Sequence, residues 1–170
     1  MFSSPYSASS IANEFIQLGM NEKIKLPHLK LQALLYYAQG WYLAIKDNPL
    51  IEENICAYKW GPGIRNVYIQ THFYKNNSIT TFLHTLSCRI DRGTVHGFLT
   101  IPTHIEEEDK LFIKKIWDTH KDFTHIQLCN STHAPNAPWS IMNLYYDLEQ
   151  EPTIPNSLIR DSFKHKIKVS

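Results

Sequence analysis

Residues 31–45, LQALLYYAQGWYLAI, form the most regular apolar pattern in the chain. Its apolar residues recur every three or four positions, which is the spacing of one face of an α-helix. Aromatic residues at 37 and 41 widen that face until it covers most of the circumference. A helix that is apolar almost all round belongs in a protein interior, so this stretch predicts the central helix of the core. Pro27 is a suitable first helical residue, and Asp47-Asn48-Pro49 ends the helix.

Weaker helical patterns flank the central helix on both sides. On the N-terminal side, Ser9 and Ser10 precede apolar residues at helical spacing, and Gly19 is placed to end that helix. On the C-terminal side, a helix starts at Pro62 and is closed by Asn76-Asn77. Further helical patterns cover about 103–121, 124–131, 140–148 and 155–163. The sequence therefore predicts a bundle of helices around residues 31–45.

Only short segments favour β-structure. Ile55–Tyr58 and Val95–Ile101 are rich in β-branched and aromatic residues, which favours strands. Residues 78–93 are poorly patterned and predict a loop with a short helical piece over Thr80–Leu86. The predicted fold class is mainly α, or α+β at most. We expect a single-domain helical bundle around a central aromatic-rich helix, with a small β element.

An acidic run begins one of the predicted helices. Thr103-His104-Ile105-Glu106 has the pattern of a capping box, in which the first and fourth side chains bond each other's free backbone N–H groups. Glu106 to Asp109 then lie in the first turn, where the helix dipole stabilises negative charge. This run thus has a structural explanation, and we assign no metal or substrate to it.

Composition excludes several classes of protein. The 170 residues are 12% aromatic with a net charge of +1, which excludes a disordered chain and argues against direct nucleic-acid binding. Cys56, Cys88 and Cys129 are odd in number and widely spaced, which favours reduced thiols in an intracellular protein. The N-terminus lacks the pattern of a signal peptide, and no apolar stretch approaches about 20 residues. We expect a cytoplasmic protein without membrane contact.

The sequence contains no established catalytic motif or phosphate-binding loop. His125, Cys129 and His133 are spaced four apart, so on one unbroken helix they would share a face as metal ligands, or as a catalytic Cys–His pair. The alternative is that His133 caps the helix end. We predict no enzyme, no catalytic residue, no metal and no cofactor.

Five ordered elements resemble one known family. Lys30–Trp41, KLQALLYYAQGW, resembles the central signature of the Panacea domain, also called the SocA-like antitoxin or phage-associated protein family. The other resembling elements are Ile11–Ile16, Pro49–Pro62 with Val67-Tyr68, Thr132–Trp139 and Ile154–Phe163. The resemblance spans about 8–163, so we predict one domain over 1–170 with a short basic tail at 164–170. Ala33 and Gly63 stand where the family commonly has Lys and Val, and Gly63 is expected to loosen the turn.

The resemblance implies a bacterial antitoxin that binds a co-encoded protein toxin and neutralises it. In one branch of the family the antitoxin is a proteolytic adaptor that delivers the toxin to an AAA+ protease. One alternative is an orphan prophage-derived scaffold, or an effector, without a toxin partner. Another is a metal-dependent enzyme that uses the His/Cys positions above.

Aromatic and proline-rich positions are the candidate partner contacts, because Trp and Tyr are frequent interface anchors. We expect Tyr37 and Trp41 to form the exposed part of the central helix. The remaining candidates are Trp60, Gly61, Pro62, Thr132, His133, Pro138 and Trp139. For Trp60, packing in the core is the alternative explanation.

Overall fold

A computed structural model of the protein describes residues 4–102 and 104–169. Seven α-helices and two separate two-stranded antiparallel sheets occupy these ranges. The helices are α1 (Ala8–Glu22), α2 (His28–Lys46), α3 (Arg65–Thr71), α4 (Glu107–His120), α5 (His125–Thr132), α6 (Pro138–Tyr145) and α7 (Asn156–Val169). The strands are β1 (Cys56–Tyr58), β2 (Gly61–Gly63), β3 (Thr85–Asp91) and β4 (Thr94–Thr100). The prediction of a mainly α fold with a small β element is confirmed.

Helix α2 is the centre of the core. Every residue from Leu31 to Gly40 is buried, because α1, α4, α5 and α7 all pack around this helix. Pro27 is the N-cap rather than the first helical residue, and Asp47 ends the helix with a φ of 58°. None of the helices in the described ranges combines the length and hydropathy needed to cross a bilayer.

Four side-chain amides attach three loop segments to the helices. Each amide donates to the C=O and accepts from the N–H of one backbone residue, as a neighbouring strand would. The pairs are Gln32–Ile64, Gln39–Ile51, Asn13–Leu83 and Gln70–His84. Two of these glutamines belong to the central helix, where a buried polar side chain without a partner would destabilise the core. The amides satisfy loop backbone groups that are otherwise removed from water.

The first helix is longer than predicted. Gly19 does not end α1, which continues to Glu22 and stops at Lys23 with a φ of 57°. A β-carbon at Gly19 would lie 3.5 Å from Cη2 of Trp117. The glycine thus marks a close approach between α1 and α4 rather than a helix end.

Residues 78–93 are not a loop with a helical piece. The expected helix over Thr80–Leu86 is wrong, because residues 85–91 form β3, which pairs with β4 from Thr85↔Thr100 to Asp91↔Thr94. The turn between them is Arg92-Gly93, and both residues have positive φ values of 48° and 79°. Such a two-residue turn matches the right-handed twist of a β-hairpin, so local turn geometry determines this structure.

Helix α4 begins at Glu107, with Glu106 as its N-cap. Thr103, on which the expected capping box depends, lies outside the described residues. Three of the four acids predicted for the first turn, Glu107 to Asp109, lie there, and Glu106 precedes them as the N-cap. Asp109 is buried there and accepts hydrogen bonds from the hydroxyls of Tyr6, at 2.7 Å, and Tyr42, at 3.0 Å. Part of the acidic run therefore belongs to the core.

The C-terminal helix is also longer than predicted. Residues 164–169, expected as a basic tail, continue α7. Lys164 bonds the Asp47 carboxylate at the end of α2, and Nζ of Lys166 lies 4.3 Å from the ring centroid of Phe163. The division of the chain into one domain and a tail stays a prediction.

Candidate partner-binding surfaces

Two of the predicted contact segments lie together in space. Trp60–Pro62 spans the end of the β1–β2 turn and the start of β2. It contacts Thr132–Trp139, which runs from the end of α5 through the connection into the start of α6. A β-carbon at Gly61 would lie 3.2 Å from Nε2 of His133. The rings of His133 and Trp139 stack with centroids 3.9 Å apart. Nε1 of Trp139 donates to the backbone C=O of Tyr58 at 2.7 Å, which attaches α6 to the β1–β2 sheet. We call this cluster the Trp60–Trp139 junction.

Most of the junction is buried and therefore supports the fold. The buried members are Gly61, Pro62, Thr132, Pro138 and Trp139. Trp60 and His133 are half-buried. A partner that approaches this side of the protein would meet these two rings first.

The indole of Trp60 lies in a surface stack of aromatic rings. Its neighbours are Tyr58, with centroids 4.8 Å apart, and Tyr68, at 5.7 Å. A β-carbon at Gly63 would lie 2.8 Å from Cζ3 of Trp60 and closer still to Cη2. Gly63 therefore makes room for the Trp60 ring, and the expectation that it loosens the turn stays a prediction.

Tyr37 does not lie on the exposed part of the central helix, as we had expected. It is 5% exposed, because α4 and α7 both cover its face of α2. Its ring stacks on His120 with centroids 4.6 Å apart and meets the Phe163 ring edge-on at 6.1 Å. A partner in solution has almost no access to this side chain, and its role is to connect three helices.

Trp41 remains half-buried and lines an open groove of about 580 Å³ between α2 and α4. Ile45 and Leu111 stand at this groove with 60% and 64% of their surface exposed. Phe112 and Lys115 also line it. Among the described residues, Lys115 has no ion-pair partner. We call this surface the Trp41 groove.

The chemistry around Cys129 does not resemble a nucleophilic or metal site. Burial raises the pKa of the Cys129 thiol and lowers the pKa of His133, so at neutral pH the thiol stays protonated and the imidazole uncharged. Within residues 4–102 and 104–169, no group of three or more His, Cys, Asp or Glu side chains could hold a metal ion. His125, Cys129 and His133 therefore do not form the site that their spacing allows.

Burial also affects the tyrosine next to Trp60. It raises the pKa of Tyr58 to about 12, and the buried hydroxyl has no hydrogen-bond partner in the described part of the chain. Tyr58 stays neutral at any physiological pH, and its ring serves the aromatic stack rather than proton transfer.

Sequence reasoning missed two surface features. Leu111 follows the amphipathic pattern of α4, but nothing local shows that it opposes Trp41. The β3–β4 hairpin could have been recognised from the alternation Leu86, Cys88, Ile90 before an Arg-Gly turn.

Comparison with known proteins identifies the family. The family described as "Antitoxin SocA-like, Panacea domain" matches residues 31–140, from the first turn of α2 to the first turn of α6. The chain is 26% identical to Antitoxin SocA of Caulobacter vibrioides (strain NA1000 / CB15N) over 171 residues, which cover 96% of this chain and 86% of that protein. No solved structure matches the chain significantly. The matched range contains the central helix from Leu31 onward, the Trp41 groove and both segments of the junction. The chain belongs to the SocA-like antitoxin family with a Panacea domain.

Proposed function

We propose that this protein is a bacterial cytoplasmic antitoxin that neutralises a co-encoded protein toxin by direct binding. The family match over residues 31–140 carries the proposal. It supports an antitoxin role in general, and the relative that covers nearly the whole chain is itself named an antitoxin. Direct binding is the form of neutralisation that an exposed apolar surface favours, because such surfaces mark interaction sites.

The Trp41 groove is the proposed contact among the residues expected from the sequence. Its floor is aromatic and its walls carry the exposed side chains of Ile45 and Leu111. Lys115 stands beside them with an ammonium group that no described carboxylate neutralises. An apolar segment of the toxin with a carboxylate at its edge would fill the groove and pair with Lys115. Trp60 and His133 are the second proposed contact, at the Trp60–Trp139 junction.

Delivery of the bound toxin to an AAA+ protease is a finer form of the same proposal. An adaptor shortens the lifetime of the toxin, whereas simple occlusion leaves the toxin intact inside a stable complex. Pulse-chase measurement of the toxin half-life, with and without this chain, separates the two. A half-life that shortens only in cells with an active AAA+ protease supports the adaptor.

The experiment that tests the function is expression of each gene adjacent to this one, with and without this chain. We expect one neighbour to arrest growth and this chain to restore it. The rescued pair is then co-purified to show direct binding. If no neighbour is toxic, or if this chain restores no growth, the proposal is contradicted and the orphan scaffold or effector takes its place.

A matched pair of variants tests the groove. Leu111→Asp places a charge on its exposed wall, and we expect at least tenfold weaker toxin binding. Leu144→Asp makes the same change on α6 at a position that is 78% exposed and does not line the groove. Both variants should unfold at the same urea concentration as the wild type, since neither side chain is in the core. Equal binding by the two variants would remove the groove from the interface.

A further inference from the structure

The β3–β4 hairpin has one entirely apolar face. In the observed register, Leu86 pairs with Leu99, Cys88 with Gly97 and Ile90 with Val95. Because successive side chains alternate between the two sides of a strand, these pairs all point to the same side. The opposite side carries mainly polar groups. We call the six paired residues the apolar hairpin face: Leu86, Cys88, Ile90, Val95, Gly97 and Leu99.

This face is exposed along its whole length. Leu86, Ile90, Val95 and Leu99 have 68%, 75%, 65% and 68% of their surface exposed. The two strands pair only with each other, so both outer edges also carry free backbone groups within the described structure. An isolated two-stranded hairpin is marginally stable in water, and a third surface usually completes it. A partner surface laid on this face would supply the burial that the hairpin lacks.

The base of the hairpin is firmly attached to the helical body. The Asn13 amide bonds both backbone groups of Leu83, at 2.7 and 3.0 Å. The Gln70 amide bonds both backbone groups of His84, at 2.8 and 3.0 Å, and the Ser9 hydroxyl donates to the same His84 C=O. The chain is thus fixed at the residues immediately before β3, while the strands beyond carry their apolar side chains into solvent. Such an anchored projection can be inserted into a partner.

The size of the face argues against a second copy of this chain as the occupant. Each strand has seven residues. At about 3.4 Å per residue and about 5 Å between strands, one face covers roughly 250 Å². Two copies packed face to face would bury about 500 Å², well below the roughly 1,600 Å² of a standard stable interface. A cleft that surrounds the apolar face and the open strand edges buries more surface than a second copy packed on that face alone.

The charges on the hairpin indicate the character of that partner. Arg89 and Arg92 carry positive charge, and Asp91 is the one acidic residue on β3 and β4. Among the described residues, none of these three has an ion-pair partner. A partner with carboxylates around an apolar cleft would neutralise the arginines as the apolar face becomes buried.

We propose that the β3–β4 hairpin inserts its apolar face into an apolar, acid-rimmed cleft of the protein toxin. This inference rests on the proposed function, since the toxin is the occupant. It adds a docking element separate from the Trp41 groove. The hairpin makes the apolar contact with the toxin. The arginines orient the two proteins as they approach and make the rate of association depend on salt concentration.

The test uses the full chain and the neighbouring-gene product whose toxicity it relieves. Leu86→Asp with Leu99→Asp introduces two carboxylates on the apolar hairpin face. We expect at least a hundredfold weaker binding in a titration of the purified proteins, and loss of growth rescue. Ser87→Asp is the matched control, because Ser87 lies on the opposite face of the same strand. It should weaken binding less than threefold.

Several outcomes separate this inference from the proposed function. If the wild type binds the toxin and the Leu86/Leu99 variant binds equally well, the hairpin is not the docking element but the antitoxin function stands. If the wild type neither binds nor rescues, the proposed function fails and this inference fails with it. Equal melting temperatures of the variant and the wild type show that lost binding is not lost folding.

Two further measurements complete the test. Cys88 lies in the apolar hairpin face and is exposed, so toxin binding should slow its reaction with a thiol reagent at least tenfold. Unchanged reactivity in the complex contradicts the proposal. Sedimentation of the free chain should give a monomer. A dimer that the Leu86/Leu99 substitutions dissociate would make a second copy the occupant and overturn the proposal.

Discussion

Gly40 of the central helix lies directly against the aromatic ring of Phe163 in α7. A β-carbon at position 40 would lie 2.5 Å from Cδ2 of that ring and closer still to Cε2 and Cζ. Phe163 is fully buried and meets Trp41 and Tyr36 edge-on, with centroids 5.0 and 5.6 Å apart. The absence of a side chain at one residue thus lets α7 close over the most aromatic part of the core.

Gly40→Ala should destabilise the protein. Alanine is favoured over glycine in a helix by about 1 kcal/mol, but here its methyl group overlaps a buried ring. Overpacking of a close-packed core costs about 1–3 kcal/mol, and this overlap with three ring atoms belongs at the upper end. About 3 less about 1 leaves a net loss of about 2 kcal/mol in the free energy of unfolding. Urea unfolding of the variant and the wild type at pH 8 measures this loss.

A double-mutant cycle shows whether the ring is responsible. Phe163→Leu removes Cε2 and Cζ, the two ring atoms nearest the new methyl group. In the Phe163→Leu protein, Gly40→Ala should lower the free energy of unfolding by less than half of the amount that it does in the wild type. An equal cost in both backgrounds would contradict the explanation.

Gln32→Met should destabilise the protein more than a surface substitution of the same kind. Ile64 donates its backbone N–H to Oε1 of Gln32 at 2.8 Å, and its C=O accepts from Nε2 at 3.1 Å. Methionine has similar length but leaves both buried backbone groups unpaired, for which we expect a loss of about 3 kcal/mol. The matched control is Gln17→Met, because Gln17 is exposed and its side chain donates to the exposed Asn21. That change should stay within about 0.5 kcal/mol of the wild type.

Mild acid should destabilise the fold through its buried histidines. Burial lowers the pKa of His28, His120 and His133. The unfolded chain protonates these groups below about pH 6.5, whereas the folded chain resists protonation. The unfolded state therefore binds more protons, and the free energy of unfolding decreases as pH falls from 7 to 5. Urea unfolding at pH 8, 6.5 and 5.5 measures the decrease.

His120→Phe isolates one of these groups. Phenylalanine keeps a ring against Tyr37 but removes the titrating imidazole and its bond to the Ile116 C=O. The variant should lose less stability than the wild type between pH 8 and 5.5. Burial raises the pKa of Glu14 and Glu53, which gives the opposite slope, but both proteins share that contribution. An identical decrease in the two proteins would show that His120 does not contribute.

The three thiols should react at two different rates. Cys88 is exposed, while Cys56 and Cys129 are half-buried with thiol pKa values that burial raises. Because the thiolate is the reactive form, one thiol should react rapidly with a disulfide reagent in the native protein and three in denaturant. Cys88→Ser should remove the rapid phase. A rapid phase that persists in this variant would contradict the assignment.

Periodicity alone predicted most of the helices. The apolar pattern of α2 is nearly complete around the helix, and only a central position in the core can bury such a surface. Capping and turn residues placed most helix starts and ends within a few residues. They failed at Gly19, because a glycine also permits close packing, and local sequence does not distinguish packing from helix termination.

Likewise, the sequence predicted which residues belong to the candidate site but not which of them are accessible. The sequence predicted Trp41, Trp60 and Trp139 as candidate partner contacts, because they lie at aromatic or proline-rich positions. How exposed each of them is depends on which helices cover it. Tyr37 is hidden because α4 and α7 each cover it, and its contacts with His120 and Phe163 join residues more than 80 positions apart in the chain. The glutamines of α2 show no sequence signal for the loops that they hold.

Local periodicity and the order of the motifs were enough to predict the helical class, the central helix and the family. The accessibility of each aromatic ring, and the apolar face that the β3–β4 hairpin presents to solvent, could be read only from the three-dimensional arrangement of the helices and strands. Burial is a property of the whole fold, since each surface is removed from water by residues that are distant in the chain.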